Sequence, residues 1–123
     1  MGLTLRDSII DSSGSGRKLV YRVNITDFWM TMADKTGHGE SCMFDSSDSS
    51  RREAQSLYNF INRFLATLKS DSITITDSLV ENHEFRLSGT YAQIKFSVGT
   101  WSILTNREKL LEFAEALQDG VDL

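Results

Sequence analysis

From His83 to Leu104 apolar and polar residues alternate in three short runs that break at Gly89-Thr90 and Gly99-Thr100. Phe85 and Leu87 alternate with Glu84, Arg86 and Ser88, and Ala92, Ile94, Phe96 and Val98 alternate with Tyr91, Gln93, Lys95 and Ser97. Successive strand residues point to opposite faces, so each run offers one face to a core and one to water. Glycine at each break supplies the positive φ that a tight hairpin turn needs. The pattern predicts an antiparallel meander.

The first half carries the same period. Leu19, Tyr21, Val23 and Ile25 alternate with Val20, Arg22 and Asn24, a half-buried strand. From Phe28 to Ala33, Phe28, Met30 and Met32 share one face while Trp29 and Ala33 occupy the other. Apolar residues on both faces predict a central strand, or one whose outer face meets another chain, which leaves a homodimer open. Asp34 to Gly39 reads as a loop and Glu40 to Phe44 as the returning strand. Leu3 to Ile10 fits a strand by its Leu3/Leu5 alternation, or one helical turn by the spacing of Leu5 and Ile9; the strand is the preferred reading. Asp11 to Gly16 is a polar loop, and residues 1–17 are expected to be partly flexible.

Two segments switch to the helical period. From Glu53 to Lys69, Phe60, Phe64, Leu57, Leu68, Ile61, Ala54, Leu65 and Tyr58 fall in one sector of the wheel. Ser50 and Glu53 have the Ser-x-x-Glu spacing of a capping box, with Asp45 and Asp48 near the positive end of the helix dipole. Ile73 to Thr76 is a β-branched strand leading into the meander. Thr105-Asn106-Arg107-Glu108 repeats the capping pattern, and the closing helix is expected to reach about Gln118, with Gly120 in its C-terminal turn. Its buried stripe is Leu110, Phe113, Ala114, Leu117 and Val121. On the opposite side Glu108, Glu112, Glu115 and Asp119 form an acidic ridge.

These elements predict a single α+β domain over residues 1–123: an antiparallel, curved sheet of about six to eight strands packed by two helices, in the order β(β)ββ-α-ββββ-α. Each half is a set of strands followed by a capped helix. In order of elements the chain is similar to the Whirly and PUR nucleic-acid-binding folds, which are built from four-strand-plus-helix units. That resemblance implies a module for single-stranded nucleic acid.

Composition narrows the function. A hydrophobic content of 40% with 24% charged residues fits a folded domain. A net charge of −4 disfavours bulk electrostatic binding to nucleic acid or anionic membranes, and matches a basic partner better. Cys42 is the only cysteine, which excludes an internal disulfide and fits a reducing compartment. No run of about 18 apolar residues occurs, and the first residues lack the plan of a signal peptide, so a cytoplasmic protein is expected. With no proline in the chain, turns rest on Gly, Asn, Asp and Ser.

His38, Glu40 and Cys42 would share one strand face, and His83 could join them. Paired Cys or His spacing is missing, no catalytic motif is present, and no metal, cofactor or enzymatic activity is expected. The acidic ridge of Glu108, Glu112, Glu115 and Asp119 is the expected contact for a basic protein, with Trp29, or else Tyr21 or Trp101, as an aromatic anchor if exposed. The expected function is a small protein-binding or inhibitor protein, similar in style to immunity proteins and phage-encoded inhibitors. The rival is the nucleic-acid module, using Arg17, Lys18, Arg22, Arg51, Arg52, Arg86 and Lys95.

Overall fold

The computed structural model describes residues 5–121. β1 (Leu5–Ile10), β2 (Lys18–Val23), β3 (Phe28–Ala33) and β4 (Gly39–Phe44) form one antiparallel sheet in chain order. After α1 (Ser47–Thr67), β5 (Asp71–Thr76), β6 (Asn82–Thr90), β7 (Gln93–Val98) and β8 (Trp101–Thr105) form a second antiparallel sheet in the same order, followed by α2 (Arg107–Gly120). The α+β class and element order agree with expectation. The eight strands are divided between two four-stranded sheets, β1–β4 and β5–β8, with α1 between them in the chain.

The inward faces close one core. Tyr21 and Met30 from the first sheet, Phe85 and Phe96 from the second, and Phe60, Phe64 and Phe113 from the helices are all buried. Phe113 of α2 touches both sheets, with ring centroids 4.6 Å from Tyr21 and 6.1 Å from Phe96. β3 is central, as its two apolar faces predict: Phe28, Met30 and Met32 are buried inward, and Trp29, Thr31 and Ala33 are half-buried on the outer face.

Several boundaries differ from the sequence reading for local reasons. α1 starts at Ser47 with Ser46 as its cap, whose Oγ accepts from the Ser49 N–H at 3.1 Å. Ser50 cannot cap, because it is buried in the first turn and donates to the Asn24 carbonyl at 2.8 Å. Leu68 follows the helix as a left-handed C-cap (φ 55°), its N–H bonded to the Phe64 carbonyl. Asn106, not Thr105, caps α2 through Lys109 N–H, since Thr105 is still the last residue of β8. Gly120 falls inside α2, where it packs closely on Val23.

The β6–β7 turn is Tyr91-Ala92, so Ala92 is exposed and not a core residue. Gly89 stays within β6 at φ 111°, where a Cβ would run into the Gln93 carbonyl. Tyr91 Oη donates to the Leu65 carbonyl at 2.8 Å and anchors this turn on α1. Gly99-Thr100 forms the β7–β8 turn as expected, between the paired Val98 and Trp101.

The two halves grip each other through equivalent turns. In the β1–β2 turn the Asp11 N–H bonds the Arg17 carbonyl at 3.0 Å, and the Ser12 N–H reaches across to the Leu104 carbonyl of β8 at 3.0 Å. In the β5–β6 turn the Asp77 N–H bonds the Glu81 carbonyl at 2.9 Å, and the Ser78 N–H reaches the Met43 carbonyl of β4 at 2.8 Å. An Asp-Ser pair in the first hairpin of each sheet thus holds the last strand of the other. Both aspartates are 5% exposed.

Asp11 is kept ionised by donors from its own turn and from β8. It accepts from Ser13 Oγ at 2.6 Å, from Ser15 Oγ, from Ser13 N–H at 3.3 Å and from Leu104 N–H at 2.8 Å. Burial opposes the charge and is the largest single influence, but these bonds together hold the carboxyl well below the usual aspartate range. A carboxylate with a depressed folded pKa contributes stability that is complete above its unfolded value, about pH 4, and is lost as pH falls toward the folded one. Asp11→Asn is therefore expected to cost about 1–3 kcal/mol at neutral pH and to flatten the acid side of the stability profile, both read from urea unfolding across pH.

Candidate functional site

Inward-facing positions on β4 and β6 bring Glu40 and His83 together beneath the β5–β6 turn. On β4, Glu40, Cys42 and Phe44 point to the same side, and on β6 His83, Phe85 and Leu87 do so. Asp77 closes the turn by accepting the Leu79 and Glu81 N–H groups on Oδ1, each at 3.0 Å. Its other oxygen, Oδ2, is left to His83 Nε2 at 2.8 Å, while His83 Nδ1 meets Glu40 Oε2 at 2.6 Å. His83 is 2% exposed. With a carboxylate against each ring nitrogen, the imidazole carries both protons and links β4 to β6.

The electrostatics follow from this placement. Burial pulls the His83 pKa down and is the largest single influence, yet the hydrogen bonds and charges of Glu40 and Asp77 outweigh it, and the pKa is raised. For Asp77, burial is opposed by His83 and by the two backbone donors, and the pKa is lowered. Cys42 is buried behind Glu40, and burial, followed by the charges of Glu40, Asp77 and Glu81, pushes its thiol far up. Such a thiol is a core residue and not a nucleophile. Gly99 completes the enclosure: at φ 60°, a Cβ there would collide with Glu40 Oε1.

The site opens on one side. A groove of about 660 Å³ is lined by Gly39, Glu40, Ser41, Leu79, Glu81, Asn82 and His83. Glu81 is exposed at its rim, beside Leu79 and Val80, which are 68% and 82% exposed. Val80 holds φ 62°, a left-handed conformation that a β-branched residue adopts only under constraint. The constraint is the Asp77 clamp, reinforced by the Val80 N–H bond to the Asp77 carbonyl at 3.0 Å.

Of the four chemical candidates in the sequence, Glu40 and His83 make contact and Cys42 lies behind them. His38 is elsewhere, exposed in the β3–β4 turn with Nδ1 3.1 Å from Thr36 Oγ1. Asp77 was not among the candidates. Its available signal is the Asp-Ser pair that ends β5 as Asp11-Ser12 ends β1.

Glu108, Glu112, Glu115 and Asp119 are all exposed on α2. Among the described residues, Lys109 is the single cation paired with them, 3.7 Å from Glu112. Trp29 is not beside this ridge. α2 packs against the inner face of the first sheet through Phe113 and Tyr21, whereas Trp29 projects from the outer face. Tyr21 is buried, and Trp101 is half-buried with Arg17 at 5.8 Å from its ring.

The basic residues do not form one patch. Lys18 and Arg22 share the outer face of the first sheet with Trp29. Arg86 and Lys95 lie on the outer face of the second sheet, where Arg86 is paired with Glu84 at 2.6 Å. Arg51 and Arg52 are on α1. Among the described residues, no helix is long and apolar enough to cross a membrane.

Comparison of the sequence with protein-family models and with curated proteins finds no match.

Removing the imidazole would leave the Asp77 and Glu40 carboxylates facing each other with no cation between them. His83→Ala is expected to destabilise the fold by about 3–5 kcal/mol, read as a lowered urea midpoint at pH 6.

Proposed function

We propose that this chain is a non-enzymatic, cytoplasmic protein-binding domain of the inhibitor or immunity type, and that the α2 ridge docks on a basic surface of its partner. The observation that carries this reading is the exposure of Glu108, Glu112, Glu115 and Asp119 along one side of α2, where Lys109 is the single cation paired with them among the described residues. A run of carboxylates at spacings of four, three and four residues presents charge over three turns of helix without bending it. Such a field attracts a cationic cleft of the kind that otherwise binds phosphates, and accelerates encounter.

A second reading rests on the outer face of the first sheet. Trp29 lies there opposite Arg22 in the β2–β3 register, with Lys18 on the same face, and β2, β3 and β4 place no carboxylate on it. Arg22 Nε is buried without a hydrogen-bond partner. Trp29 could stack on a base of single-stranded nucleic acid while the two cations meet phosphates. Alternatively, Val20 and Met43 beside Trp29 could receive a second copy of the chain.

Two experiments separate the ridge reading from the nucleic-acid reading. In capture from host lysate, the wild type is expected to retain a specific protein that a folded Glu108→Lys/Glu112→Lys/Glu115→Lys/Asp119→Lys variant loses; equal recovery by both counts against the ridge. In fluorescence anisotropy with a labelled single-stranded oligonucleotide, the first reading expects no salt-sensitive binding. The second expects binding that Trp29→Ala weakens by about 1–3 kcal/mol.

A further inference from the structure

The β1–β2 and β5–β6 turns do the same structural work, but they complete it with different chemistry. Asp11 is satisfied by Ser13 and Ser15 of its own turn and by the Leu104 N–H. No imidazole and no second carboxylate is needed to bury an aspartate at this junction. At the equivalent place, Asp77 faces His83, and Glu81 stands at the open rim. One ligand atom from each of Asp77, Glu81 and His83 lies within 4.8 Å of the other two. Glu40 holds the opposite ring nitrogen at 2.6 Å, which fixes the ring with Nε2 directed at Asp77. A carboxylate behind a ligating histidine is the usual means of fixing its tautomer and direction.

We propose that Asp77, Glu81 and His83 form a divalent-cation site for a zinc-like ion, with Glu40 as the positioning residue behind His83. The ion takes the place of the proton on His83 Nε2, which is released to solvent. Three carboxylates surround one imidazolium here, and exchanging that proton for a dication adds positive charge where negative charge is in excess. Zinc ligand distances of about 2.0–2.2 Å require the Asp77–His83 contact to open slightly and Glu81 to swing inward. Glu81 can do so, because its side chain is exposed and makes no hydrogen bond among the described residues. The groove at the rim admits the ion and supplies water for the remaining position. One nitrogen and two oxygen donors favour Zn²⁺ over Mg²⁺, which prefers an all-oxygen shell.

The test uses tag-free protein of residues 1–123, calorimetric titration with ZnCl₂ and with MgCl₂, and thermal unfolding in each salt. The expected result is a single Zn²⁺ per chain with a raised melting temperature, and no comparable effect of Mg²⁺. Glu81→Gln, whose metal-free urea midpoint should match wild type, is expected to weaken Zn²⁺ binding about tenfold or more. His38→Ala and Glu115→Gln should bind as wild type. Failure of the wild type to bind Zn²⁺, binding unchanged in Glu81→Gln, or binding abolished by His38→Ala would each overturn the site.

Discussion

Two sheets that share no strand have to be joined by something other than a β-ladder, and in this chain buried aspartates at two hairpin turns make the join. Each turn gives up a backbone N–H to the last strand of the opposite sheet, Ser12 to Leu104 and Ser78 to Met43. A buried carboxylate next to that bond is costly unless fully provided with donors. The donors therefore organise the surroundings: serines for Asp11, and backbone amides with His83 for Asp77. Phe113 then seals the space between the sheets from the helix side.

The second junction has consequences that the first lacks. Providing for Asp77 with an imidazole draws Glu40 to the other ring nitrogen and requires glycine at position 99, while the pKa of the Cys42 thiol behind Glu40 is pushed up by burial first and by the nearby carboxylates second. Leu79 and Val80 stand out in solvent on the turn that Asp77 clamps, with Val80 in a left-handed conformation. A structural joint and a polar, partly open groove occupy the same place. The α2 ridge is separate from it in chemistry: exposed carboxylates on a regular helix, shaped by no strain and no buried partner. The first sheet's outer face is different again, with Trp29, Arg22 and Lys18 together.

Much of this architecture was legible in the residues. The period of two located the strands, and the helical wheel of α1 named the residues that are buried, among them Leu57, Phe60, Ile61 and Phe64. Errors gathered where several polar residues compete for one role. Ser46 and Ser50 are both good caps, and the choice fell to Ser46 because the Asn24 carbonyl takes the Ser50 hydroxyl. The break at Gly89-Thr90 suggested the turn, but the turn falls at Tyr91-Ala92, and Gly89 stays in the strand where the Gln93 carbonyl approaches too closely for a Cβ. Glu40 and His83 could be suspected of meeting, but Asp77 could not be added to them from spacing alone. Its contact depends on how the β5–β6 turn folds over β4.

By itself the sequence determined the local elements, their order, the antiparallel class and which faces are apolar, because these follow from side-chain periodicity and from the conformational limits of glycine, serine and asparagine. It also determined that α2 carries a ridge of like charge. Only the tertiary structure decided that eight strands form two sheets, that the Asp-Ser turns clasp them, that Trp29 and the ridge face different sides, and that His83 stands between Asp77 and Glu40. Those outcomes depend on contacts between residues distant in the chain, such as Ser12 with Leu104 and Glu40 with His83. Such contacts are set by the packing of whole sheets and helices around one core, which no local pattern encodes.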